Sequence, residues 1–173
     1  MTTSFFEIIS SFFEINPQIL IGLLFSVLPF FELRAGLPII IQYTTKNSIS
    51  VWPYFFIVLI LNILIIIFIF IFLDFIHNTL MHIKIYKKYF GYILLKIQKK
   101  TEVVKKNFNK FGYLALLLFV AIPLPGTGAW TGCLIAWIMK LDRIKSFFAI
   151  AIGIIIAGVI ILLISLGIFS SIY

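Results

Sequence analysis

Cysteine, acid and charge of any kind are scarce in this chain, and each scarcity closes off a class of protein. Cys133 stands alone, which excludes an intrachain disulfide, and its apolar neighbours make it a small buried thiol rather than a reactive one. Charged residues make up 12% of the 173 residues while 62% are hydrophobic, and the mean hydropathy is +1.18. Soluble domains hold roughly 45–50% apolar residues, so these values describe an integral membrane protein. The length suits one compact membrane domain and leaves no room for a separate soluble enzyme module. The first sixteen residues contain Glu7 and Glu14 but neither Lys nor Arg. They lack the basic start of a cleavable signal peptide, and the mature chain is expected to begin near Met1.

Clusters of ligating or nucleophilic side chains are also missing. Asp74 and His77 are three apart and share a helical face, with His82 following, but no further ligand lies near them. Residues in contact with interfacial water are therefore expected there, with no metal and no cofactor. No nucleophile accompanies the buried acid at Glu32 either, so the chain is not expected to be an enzyme.

What the chain has in abundance is long apolar runs, and these divide it. Phe5, Ile8, Ile9, Phe12 and Phe13 recur at helical spacing, which predicts an interfacial helix over 1–16. The run 17–45 is too long for one simple span and carries Pro29 and Pro38, which predict a helical hairpin that enters and leaves on one side. A transmembrane helix is expected over 51–76, with Trp52 at the headgroup level and Asn62 making an interhelical hydrogen bond. The stretch 82–110 is basic, and between Lys84 and Lys110 nine lysines face one acid, Glu102. Its apolar residues keep three- and four-residue spacing, so an amphipathic segment on anionic lipid headgroups is expected rather than a nucleic-acid surface. A second hairpin is expected over 111–139, broken by Pro123 and Pro125. A last transmembrane helix is expected over 146–170, with Gly153, Ala157 and Gly158 for close packing.

The map of positive charge bears on topology. If each broken run enters and leaves on the same side, twelve of the fourteen basic residues lie in the cytoplasm, leaving Lys46 outside and Arg34 within the membrane. The two halves also match in layout: Pro29 lies twelve residues after Pro17, and Pro123 twelve after Phe111. The expected fold is therefore all-α: two inverted repeats, each a re-entrant helical hairpin plus a transmembrane helix, joined by the basic cytoplasmic segment. A multi-pass protein of the cell membrane is expected, compatible with a homo-oligomer.

The segment Pro29-Phe-Phe-Glu-Leu-Arg-Ala-Gly-Leu-Pro38, paired with Ile122-Pro-Leu-Pro-Gly-Thr-Gly-Ala-Trp-Thr-Gly132, resembles the small multidrug export proteins over nearly the whole chain. More distantly the layout is similar to the DedA/VTT membrane proteins. That resemblance implies facing re-entrant hairpins and the movement of lipids. The second turn carries Pro125-Gly126-Thr127 in place of a DedA-type acid after Pro-Gly.

Within the hairpins the chemistry concentrates on a few residues. Glu32 and Arg34 are charges in an apolar run, each costing about 2.5–3.5 kcal/mol at a membrane helix centre. With returning limbs expected to start near Gly36 and Thr127, the free N–H groups at those helix starts attract anions. Arg34 offers a forked donor for phosphate or carboxylate. Gly126, Gly128 and Gly132 permit close approach of backbone to a ligand, Thr127 and Thr131 add hydroxyls, and Gly36 joins the expected substrate contacts at the start of its limb. Glu32 either neutralises Arg34 or carries a proton that couples transport to a gradient. The leading expectation is a transporter for an anionic amphiphile such as a lipid phosphate. A cationic-drug exporter, with Glu32 at the substrate, and a membrane scaffold are the alternatives.

Overall fold

A computed structural model describes residues 16–80 and 111–172, and these form six helices with no strand among them. The expected interfacial segment 1–16, Asn16 apart, and the basic segment 82–110 lie outside the described residues. Helix α1 (Pro17–Val27) starts where the Asn16 side chain accepts the Gln18 N–H at 2.9 Å and Pro17 supplies a preset first turn. It ends before Pro29, and the chain reverses into α2 (Glu32–Lys46). Helix α3 (Trp52–Leu80) follows, then α4 (Phe111–Ala121) and α5 (Ala129–Ile138) around the Pro123 and Pro125 turn. Helix α6 (Arg143–Ser170) begins at Asp142, whose carboxylate accepts the Lys145 N–H at 2.9 Å.

Two helices are long and apolar enough to cross a membrane: 26 residues over Trp52–His77, and 28 over Arg143–Ser170. The other four have 10 to 15 residues. At 1.5 Å per residue they rise about 15–23 Å, short of a hydrocarbon core of about 30 Å. Each pair of short helices forms a hairpin whose turn is proline-rich or glycine-rich.

The first hairpin closes backbone to backbone. A Cβ on Gly36 would strike the Gly22 carbonyl oxygen, and would lie 2.6 Å from the Ser26 nitrogen. Gly36 therefore serves to seat α2 on α1. Pro38 is a correction. It sits inside α2 and not in a turn, so the returning limb starts at Glu32, four residues before Gly36. The helix runs through Pro38 without the bond its nitrogen would make to the Arg34 carbonyl, a loss that helices in apolar surroundings tolerate when neighbours pack around them.

Leu33, Leu37, Ile40 and Ile41 of α2 form the core with Val58, Ile66 and Ile69 of α3, Val120 of α4, and Ile150 and Ile154 of α6. Gly153 brings α6 against Val120, and Gly158 brings it against Leu59, in keeping with the expected packing role of small residues. Asn62 is fully buried, but its amide donates to Val58 of its own helix at 2.9 Å and its Oδ1 has no partner, so the expected interhelical bond is not formed. The outer face of α3 presents Phe56, Ile60, Leu64, Phe68, Ile71 and Phe75, an apolar surface of the kind that lipid covers.

Candidate functional site

The two hairpins touch at their turns, and the contact is polar. Glu32 opens α2 with φ 49°, just after Phe30 with φ 70°, both in the left-handed region that non-glycine residues seldom occupy. Such strain persists where the surroundings over-determine it. Here it brings the Glu32 carboxylate under the second hairpin. Oε1 accepts the backbone N–H of Trp130 at 3.1 Å, in the first turn of α5, while Oε2 accepts Arg34 Nη1 at 2.6 Å.

Arg34 reaches the opposite limb. Its Nη2 donates to the Val120 carbonyl at 3.2 Å and to Thr127 Oγ1 at 2.9 Å, with the Ile122 carbonyl at 3.5 Å. Thr127 in turn hydrogen-bonds the Ile122 carbonyl at 2.7 Å and the Leu124 carbonyl at 2.9 Å. One ion pair thus complements both ends of the second hairpin: the acid lies on the N-terminus of α5 and the base on the C-terminal carbonyls of α4. The pair is withdrawn from solvent, with 5% of the Glu32 and 10% of the Arg34 side chain exposed. Its Coulomb attraction is opposed by desolvation, so the extra N–H and carbonyl partners are what make burial tolerable. Arg34 Nε is buried with no partner.

Around this pair the expected residues divide by task. Gly128 has no room for a side chain, because a Cβ would overlap the Glu32 carboxylate and Arg34 Nη1. Gly126 has φ 81° and open space where a Cβ would stand, so it serves the turn. Thr131 hydrogen-bonds the Gly128 carbonyl at 3.2 Å. Pro29, Pro123 and Pro125 lie in the two turns. A cavity of about 340 Å³ opens beside the pair, and Pro29, Phe30, Glu32, Phe72, Gly126 and Trp130 are among its wall residues. Arg34 and Thr127 do not line it.

Two features of the fold were not anticipated from sequence. Trp130 ties the hairpins a second time, its indole N–H donating to the Val27 carbonyl at 3.3 Å. Asp74 is not simply a water-facing residue: it holds Arg143 through two hydrogen bonds of 2.6 and 2.7 Å and accepts the Trp137 indole N–H at 2.9 Å. This joins the end of α3 to the starts of α6 and the end of α5. No group of three or more potential metal ligands occurs among the described residues.

Short helices meeting at a buried ion pair, beside two apolar helices of membrane-crossing length, describe a helical membrane protein. A family model described as "Putative small multi-drug export protein" matches residues 32–160, and the chain belongs to that family. It is an exporter family and not an enzyme family. Comparison with curated proteins and with solved structures gives no match.

Proposed function

We propose that the protein exports a small amphiphile with a cationic or hydrogen-bond-donating head, which enters the apolar cavity and meets Glu32. One observation carries this reading. Glu32 is the charged side chain in the cavity wall, whereas the Arg34 guanidinium lies behind it with both terminal nitrogens engaged. Phe30, Phe72 and Trp130 supply ring faces for an apolar or cationic body. The hairpins dip into the bilayer from opposite faces, with Lys46 outside and Lys140, Arg143 and Lys145 in the cytoplasm, and the two inverted repeats rock about their joined tips. Glu32 carries the coupling proton: once neutral it holds Arg34 and a cationic head less firmly, and the substrate leaves.

A second reading has its own support. The Glu32 carboxylate occupies the place a bound phosphate would take, on the start of α5 and on Arg34, and Arg34 Nε keeps an unused donor. An anionic amphiphile such as a lipid phosphate would then displace Glu32 and bind Arg34 with Thr127 and the backbone around Gly126 and Gly128.

Both are tested in one set of proteoliposomes, loaded with a fluorescent cationic dye and with labelled lipid phosphate. Dye movement is expected, reduced at least about tenfold by Glu32→Gln and kept by Arg34→Lys, in line with the cost of losing a charge-assisted contact. Movement of the lipid phosphate alone, abolished by Arg34→Lys, assigns the site to anions. Failure with both substrates leaves the ion pair as a device for joining hairpins in a scaffold.

A further inference from the structure

Away from the ion pair of the hairpin tips, a second cavity of about 350 Å³ lies where α3 ends and α6 begins, lined by Phe70, Asp74, His77, Trp137, Lys140 and Arg143 with Ala136 and Leu141. We propose that this cavity binds the phosphate of an anionic phospholipid headgroup, held by Lys140 and Arg143.

Its depth in the membrane is the first argument. The apolar run of α3 closes at Asp74, and that of α6 opens at Arg143, so the charged wall stands at the ends of both membrane-length helices, where headgroups lie. Charge is the second. Asp74 and Arg143 neutralise each other at 2.6 Å, while Lys140 takes part in no ion pair among the described residues, leaving the cavity with a net positive charge. Basic pockets between membrane helices at this level suit phosphate headgroups. The Arg143 guanidinium also lies over the Phe70 ring, 5.6 Å from its centre, while 52% of its side chain is exposed.

Lys140 itself is the third argument. It ends α5 in a paired-bond cap: the Leu141 N–H reaches the Ala136 carbonyl at 3.0 Å, and the Lys140 N–H reaches the Trp137 carbonyl at 3.1 Å. That cap needs a left-handed residue, which is ordinarily glycine, yet Lys140 stands there with φ 51°. A lysine thus lines the cavity at a backbone position that favours glycine. Phe75 and Ile144, next in sequence to Asp74 and Arg143, are exposed apolar side chains that suit the acyl chains of the same lipid.

The test is native mass spectrometry of the full chain released from nanodiscs containing equal amounts of phosphatidylglycerol and phosphatidylcholine, with inorganic phosphate titrated separately. Phosphatidylglycerol is expected to remain bound, reduced about fivefold by Lys140→Gln, kept by Lys140→Arg, and unchanged by Lys145→Gln, which removes the same charge outside the cavity. Equal retention of the two lipids, or an equal loss with Lys140→Gln and Lys145→Gln, would overturn the proposal. So would binding of inorganic phosphate, lost in Lys140→Gln, without retention of either lipid, because the cavity would then serve a soluble anion. Circular dichroism of each variant confirms that the helices are intact before the comparison is read.

Discussion

At the scale of single residues, the site depends on an atom that is missing. Gly128 leaves room for the Glu32 carboxylate above the start of α5, and a methyl group there would collide with it. Gly128→Ala is therefore expected to destabilise the folded protein by about 1–3 kcal/mol, as overpacked cores do. The measurement is thermal unfolding in detergent, read in a double-mutant cycle with Glu32→Ala. With the carboxylate gone only the overlap with Arg34 Nη1 remains, at the far end of a flexible side chain that can shift, so Gly128→Ala should cost less in the Glu32→Ala background than in the native chain. Independent, additive losses would mean that the clash is not what Gly128 avoids. Sequence alone picked out Glu32 and Arg34 because charge in an apolar run is costly. It could not give the second partner of Glu32 beside Arg34, since the Trp130 N–H lies 98 residues away and a backbone donor has no signature in residue type.

At the scale of elements, the two hairpins are built differently. The first is closed by glycine against glycine, so Gly36→Ala must push α1 and α2 apart. A loss of about 1–3 kcal/mol in unfolding free energy is expected, although alanine for glycine in a helix interior ordinarily adds about 0.5–1 kcal/mol of stability. An unfolding midpoint unmoved by Gly36→Ala would show that the helices do not meet at this seam. The division into short paired helices and two long apolar ones was legible, because the apolar runs and the prolines at 29, 123 and 125 mark it without reference to the rest of the chain. Pro38 misled because a local rule on helix breaking ignores the packing of neighbours that carries α2 through it. The bond from Arg143 to Asp74 was equally out of reach: 69 residues separate the partners, and each alone reads as an ordinary charge at a helix end.

At the scale of the whole molecule, the proposed arrangement makes a topological statement. Asn47 and Lys145 are both exposed and fall on opposite faces of the membrane if the hairpins are re-entrant. The buried Cys133 can be replaced by alanine, and single cysteines introduced at these two positions. An impermeant maleimide added to intact cells should label the Asn47→Cys protein, and should label Lys145→Cys only after permeabilisation. Labelling of both from outside would remove the re-entrant topology and, with it, access to Glu32 from two sides. The long separations in sequence of the contacts that join hairpin to hairpin also explain why the whole was less legible than its parts. Apolar periodicity reports which segments meet lipid or core, but not which turn lies over which.

The contact of Gly22 with Gly36 has one more consequence. With main chain resting on main chain, and the Ile40 and Ser26 side chains packed beside it, the contact leaves little room for one helix to slide along the other. In the proposed transport the first hairpin would move as a single wedge and part from the second hairpin along the seam from Val27 and Trp130 to Arg34 and Thr127. The bonds that fasten that seam are the same ones that neutralise the charges, so a wedge that lifts away also uncovers them.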